Sequence, residues 1–170
     1  MAKLQATLLK VIGNASSGID IEIKTDIIFS NLDKQLDVIY YVQGFVYDVD
    51  GEEDIMMPLI NELHCQLDVE QVKDAYSNED DMIYNKLGKS YKASNGNVTA
   101  RFKFQLQKDP SSVRPGNSLV SNKVIEAMRD EKDGYALELK AMFVLTNELN
   151  GIAISRSKEV SVPIMDQYIS

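Results

Sequence analysis

Cysteine occurs once in the 170-residue chain, at Cys65, and histidine once, at the adjacent His64. An intramolecular disulfide is therefore impossible, and a cysteine-based structural zinc site lacks partners. Neighbours on an extended segment project to opposite sides, so His64 and Cys65 do not form a base–nucleophile pair with each other there. Leu63, Cys65 and Leu67 share one parity, which makes Cys65 a small core residue and leaves His64 outside with Glu62 and Gln66. A histidine-dependent triad would need His64 itself, and no serine sits in a nucleophile-elbow pattern. Long apolar runs are also missing. No segment approaches the roughly 18 residues of a membrane span, and the opening Met-Ala-Lys-Leu-Gln-Ala-Thr-Leu-Leu-Lys has no export-type apolar stretch. The expectation is a cytoplasmic protein without membrane insertion.

Charge is unevenly distributed. The formal net charge is −8, and residues 1–100 hold 8 basic against 17 acidic side chains, whereas 101–170 hold 10 against 9. An acidic first part repels phosphate backbones and anionic lipid, so nucleic acid is not an expected partner.

The strongest pattern present is period-two alternation, the signature of strands. Ile19, Ile21 and Ile23 alternate with Asp20, Glu22 and Lys24; Val98, Ala100, Phe102, Phe104 and Leu106 alternate with Thr99, Arg101, Lys103, Gln105 and Gln107. Each reads as a strand with one wet face. Tyr135 to Leu145 forms a longer series that becomes apolar on both parities towards its end, predicting burial of both faces. Over 36–49, Val38, Tyr40 and Val42 are even while Phe45, Tyr47 and Val49 are odd, which predicts a β-bulge at or beside Gly44. Asp50-Gly51, Asn95-Gly96 and Asn150-Gly151 suit tight hairpin turns. Pro163 lacks a ladder donor and places the run Val160 to Ile164 at a sheet edge.

Helical signals fall between the strands. Asp68 and Gln71 form a capping-box-like pair before a helix over 69–76, the charge order from Glu79 to Lys86 predicts another over 79–87, and Ser121 caps a third over 121–132. Residues 108–118, rich in proline, glycine and serine, read as an exposed loop carrying Arg114. The expected architecture is mainly β with an α+β character: one antiparallel sandwich-like domain over 1–170, of about seven strands, with two or three short helices inserted and a helical insertion near 68–88.

Motifs that resemble chemistry are incomplete. Gly13 to Gly18 has the glycine spacing of a phosphate loop, but Ile19 and Asp20 stand where the lysine and hydroxyl residue belong, which leaves a polar turn. Asp48, Asp50, Glu52, Glu53 and Asp54 crowd around Gly51 and form a weak calcium candidate. On the helix-loop-helix calcium pattern, however, Val46 and Met57 occupy the first and twelfth positions, where acids are required. Arg101-Phe102-Lys103-Phe104 interleaves bases and aromatics, yet its phenylalanines share parity with Val98 and Leu106 and read as core.

By elimination the sequence points to a non-catalytic structural or assembly subunit, such as a virion or phage tail or neck component, with protein partners, self or heteromeric, and no cofactor. The alternatives are a small-ligand or calcium-binding β module and a carboxylate-dependent hydrolase. The candidate interface residues are Ile27, Ile28 and Phe29, then Ile55, Met56 and Met57 of the apolar stretch 55–60, and Arg114.

Overall fold

The alternating segments form strands that pair antiparallel throughout. A computed structural model describes residues 1–15, 18–49, 81–107, 136–149 and 151–163. In chain order these residues form β1 (Lys3–Ala15), β2 (Gly18–Ile28), the short helix α1 (Asn31–Gln35), β3 (Ile39–Asp48), β4 (Asp81–Lys92), a 3-10 turn (Ala93–Asn95), β5 (Val98–Gln107), β6 (Ala136–Asn147), β7 (Ile152–Arg156) and β8 (Val160–Pro163). Sheet one has the order β1-β2-β5; sheet two has β4-β3-β6-β7, with β8 pairing further along β6. The mainly β sandwich read from the sequence is the observed architecture.

One apolar cluster joins the two sheets. Ile21, Ile23, Ile27, Ala100 and Phe102 of sheet one meet Tyr40, Val42, Val46, Ala141, Phe143 and Leu145 of sheet two. Burial of each large apolar side chain contributes about 1.5–3 kcal/mol, so this layer dominates the stability of the described part. The Phe102 and Phe143 rings stack with centroids 6.0 Å apart. Beside them the sheets approach at Gly44, where an added Cβ would lie 3.0 Å from Ile23 Cδ1 and 3.2 Å from Phe102 Cδ2. A larger residue at this point would force side chains of the facing sheets to give by a few tenths of an ångström.

The phase change inferred at Gly44 has a different origin from the one expected. Strand β3 keeps a single phase, and its ladder with β6 runs unbroken from Tyr40↔Asn147 to Asp48↔Leu139. The register shifts lie on the β4 side, where Gly44 to Val46 faces Leu87 to Tyr84 and Val46 to Tyr47 faces Tyr84 to Met82. The extra residues belong to β4, at the sheet edge where bulges concentrate. Phe45 and Tyr47 therefore face away from the inter-sheet core, and they are buried nonetheless, as are Met142 and Val144 on β6. Strand β6 is thus buried on both faces, as its apolar parity predicts.

Local chemistry sets the ends of the elements. The Ser30 hydroxyl accepts from the Asp33 amide and the Asp33 carboxylate accepts from the Ser30 amide, a capping box that starts α1. After Leu36, Asp37 adopts φ 50°, a left-handed conformation that aspartate tolerates, and its carboxylate accepts from the Ser94 hydroxyl. Asn95-Gly96, read as a hairpin, instead carries the chain from sheet two to sheet one, because β4 pairs with β3 and β5 with β2. The hairpin expected before Ile152 does join β6 to β7. There Asn147 Oδ1 accepts from the Leu149 and Gly151 amides at 3.0 and 2.7 Å. The predicted helix 79–87 is replaced by β4, which begins at Asp81. Strand β8 ends at Pro163 and among the described residues pairs only with β6, the edge position expected for that proline. Helices 69–76 and 121–132, the turn at Asp50-Gly51 and loop 108–118 lie outside the described residues.

Candidate interaction surface

The outward face of sheet one is built from the polar parity of β2 and β5. Register places Glu22 of β2 opposite Lys10 of β1 on one side and Lys103 of β5 on the other, with Arg101 opposite Lys24 two pairs along, on the same face. A solvated glutamate is the expectation for this face, but the Glu22 side chain is only 5% exposed. Three cations cover it: Lys10 Nζ at 3.4 Å and Arg101 Nη1 at 3.5 Å from Oε1, and Lys103 Nζ at 3.8 Å from Oε2. Their side chains are 51%, 53% and 68% exposed respectively. Long side chains lay their stems over the carboxylate and keep their charged ends in water. At the far end of the strand, the Thr99 hydroxyl donates to Asp26 Oδ1 at 2.6 Å.

Polar groups bridge the two sheets at both flanks of the described sandwich. Lys89 on edge strand β4 pairs with Val42, a core residue, so its side chain starts inward. Its Nζ lies 5.1 Å above the Phe102 ring and donates to the Arg101 carbonyl at 3.3 Å. The lysine crosses the opening between β4 and β5 and occupies an edge carbonyl of β5. On the opposite flank, β1 carries an extra residue between Gln5 and Leu8, with Ala6 at φ 51°. Thr7 there shares hydrogen bonds with Thr25 Oγ1 at 2.8 Å and with Ser155 Oγ of β7 at 2.7 Å. The bulge directs this hydroxyl across to the other sheet.

The outward face of sheet two is apolar and partly open. Tyr41, Thr146 and Ile152 form one cross-strand row, and Val144 and Ile154 lie in the next. Tyr41, Ile152 and Ile154 are exposed, as is Leu149 in the β6–β7 turn, whereas Thr146 and Val144 are buried between them. Beside the sheet crossing, a cavity of about 440 Å³ is lined by Ile39, Tyr91, Lys92, Asn95, Asn97 and Val98 among others. Burial pushes the Tyr91 hydroxyl above its ordinary value. At the same end, the Ala2 amide donates to Tyr40 Oη at 3.0 Å, and the N-terminal ammonium lies 3.6 Å from Asp33. Burial raises the Asp33 carboxyl, but the Ser30 and Tyr40 hydroxyls, the Ser30 amide and the ammonium outweigh it and hold the group below the usual carboxylate range.

The residues singled out from sequence fall in several places. Ile27 and Phe29, taken as interface candidates, are core residues at 0% and 3% exposure, because their parity turns them into the sandwich. Ile28, of the opposite parity, is half-buried. Asp48, part of the weak calcium candidate, is fully buried at the end of β3, and its Oδ1 accepts from the Glu138 amide at 2.8 Å. Among the described residues no group of three or more histidine, cysteine, aspartate or glutamate side chains could hold a metal ion. Asp50, Glu52, Glu53, Asp54, Ile55, Met56, Met57 and Arg114 lie outside the described residues. Phe102 is core, as its parity predicts. The Glu22 cluster escaped the sequence reading. Alternation marks Glu22, Arg101 and Lys103 as outward, but nothing local says that β2 and β5 are neighbours.

Among the described residues no helix is long and apolar enough to cross a membrane. No family model matches the chain, and no curated protein does. Among solved structures it is similar to Spo0M, a sporulation control protein from Bacillus subtilis, with 8% identity and a TM-score of 0.37 over 96% of this chain and 50% of that one. The chain thus spans half the length of that protein. The sandwich assignment rests on the strand pairing and the shared core.

Proposed function

We propose that this chain is a non-catalytic structural or assembly subunit acting through protein–protein contacts made by the faces of its sandwich. The kind of assembly we have in mind is a virion or a phage tail or neck particle put together in the cytoplasm. The observation that carries the reading is the outward face of sheet one, where three half-exposed cations gather on one buried carboxylate in a chain of net charge −8. Lysine and arginine are fixed charges and hydrogen-bond donors at neutral pH, so such a face binds a complementary surface and is poorly suited to proton transfer. The open apolar row of Tyr41, Ile152 and Ile154 on the other sheet adds area of the kind found at interfaces.

The test is molar mass by light scattering after size exclusion over a tenfold concentration range, together with amine-reactive crosslinking in the cells that make the protein. A mass above the 19.1 kDa of one chain, or crosslinks from Lys10 or Lys103 to a second polypeptide, supports the proposal. A monomer throughout, with no crosslinked partner, overturns it.

A further inference from the structure

We infer that the Lys10, Arg101 and Lys103 cluster around Glu22 is an anion cradle that docks a short acidic protein segment. The inference rests on the assembly reading above and names the partner for that face. Three cations share a single carboxylate, so two positive charges are left in excess at one spot. Glu22 also leaves their donors largely unused. Its Oε1 accepts no hydrogen bond although Lys10 Nζ and Arg101 Nη1 stand 3.4 and 3.5 Å away. Lys103 Nζ, at 3.8 Å from Oε2, is beyond hydrogen-bond reach. The carboxylate draws the three ends together by Coulomb attraction, and their N–H groups stay available to a second acceptor. Lys24, opposite Arg101, extends the positive region along the sheet.

An acidic protein segment fits this arrangement better than a nucleic acid does. Asp20 and Asp26 share the outward parity of β2 on either side of the cluster, so the positive region is only a few side chains long. A phosphate backbone needs a continuous basic track. Phe102, the aromatic ring between Arg101 and Lys103, is turned into the core and cannot stack a base. Arg101 and Lys103 are two residues apart on one strand, a spacing of roughly 7 Å, and an extended segment with an acid at every second position matches it. Two carboxylates of such a segment would meet Arg101 and Lys103 together, while Lys10 closes the cradle from β1.

The test is fluorescence anisotropy with a labelled nine-residue peptide alternating glutamate and threonine, run beside the lysine–threonine peptide and single-stranded DNA of similar length. The full chain is expected to bind the glutamate peptide, to bind it less as salt rises, and to ignore the lysine peptide. R101A and K103A should each weaken binding about two- to fivefold, whereas K158A, in the connection between β7 and β8 and outside the cluster, should not change it. These side chains are half-exposed, so the variants should keep the wild-type circular dichroism. E22Q separates a built cradle from diffuse attraction: removing a negative charge strengthens diffuse attraction, but the cradle loses the group that converges its cations and should bind less. Unchanged binding in the R101A/K103A double variant, tighter binding by E22Q, or preference for the DNA overturns the inference. An oligomer by light scattering that binds no acidic peptide would remove this inference and leave the assembly proposal standing.

Discussion

Replacing Gly44 with alanine tests the account of how the two sheets meet. The added methyl would lie 3.0 Å from Ile23 Cδ1, 3.2 Å from Phe102 Cδ2 and 3.3 Å from Phe143 Cε1. Carbon atoms prefer separations of about 3.5–4.0 Å, so all three contacts are short by several tenths of an ångström. Ile23 and Phe143 are fully buried and Phe102 is 5% exposed, which leaves them little room to retreat. Overpacking of this kind costs about 1–3 kcal/mol, and the stiffer unfolded chain of the alanine variant returns about 0.4–1 kcal/mol. Taken at mid-range the net loss is about 1.3 kcal/mol, or a fall of about 3–5 °C in Tm for a chain of this length. Tyrosine fluorescence serves as the probe during urea unfolding, since the chain has eight tyrosines and no tryptophan. Ile23→Val removes the nearest colliding atom, so the double variant should lose at least about 0.5 kcal/mol less than the sum of the single losses. An unchanged or more stable Gly44→Ala protein, or strict additivity with Ile23→Val, would refute the claim that the sheets touch at this residue.

Tyr40→Phe leaves the buried Ala2 amide without its acceptor and should cost about 1–2 kcal/mol, with faster exchange of that amide by NMR. The Asp33 carboxyl titrates below its unfolded value of about 3.9, so its contribution is complete above that pH and is lost as pH falls through the folded value. Asp33→Asn should therefore flatten the acid limb of urea midpoints measured from pH 7 to pH 2. Asn147→Ala removes the acceptor for two turn amides and should destabilise by about 1–3 kcal/mol, read as loss of amide protection at Leu149 and Gly151. Burial raises the hydroxyls of Tyr40 and Tyr91 despite the hydrogen bond from Ala2 to Tyr40. Stability they contribute is present below about pH 10 and falls above it, which an alkaline titration followed by circular dichroism would register.

What could be read from the sequence was the chemistry of single strands. Alternation located β2 and β5, the two-sided apolar series foretold the double burial of β6, and Pro163 marked an edge. Strand β4 was misread because its extra residues break the alternation: Tyr84 and Tyr91 fall on opposite parities, so no period-two series spans them. The acid-first, lysine-last order that suggested a helix over 79–87 is compatible with either structure. Helix α1 is not foreseen by the sequence reading, and its Ser30–Asp33 capping box starts a helix of only five residues. Sheet order was not legible at all. Glu22 meets Lys103 across about eighty residues, and pairing at that range is decided by the packing of the whole core. The same limit explains why Asn95-Gly96 passed for a hairpin turn when it is a crossing between sheets.

Lys89 and Thr7 bear on how copies of this chain could accumulate. Exposed strand edges let β proteins grow by adding one strand after another, without a natural stopping point. Here one flank is occupied by an ammonium group bound to an edge carbonyl, and the other is tied across by hydroxyl contacts between β1 and β7. On the assembly reading proposed above, this leaves the sheet faces for association, and the proposed Glu22 cradle would supply the attraction there. On that reading, charged contacts made there would come apart when salt is raised, whereas strand-by-strand growth would not.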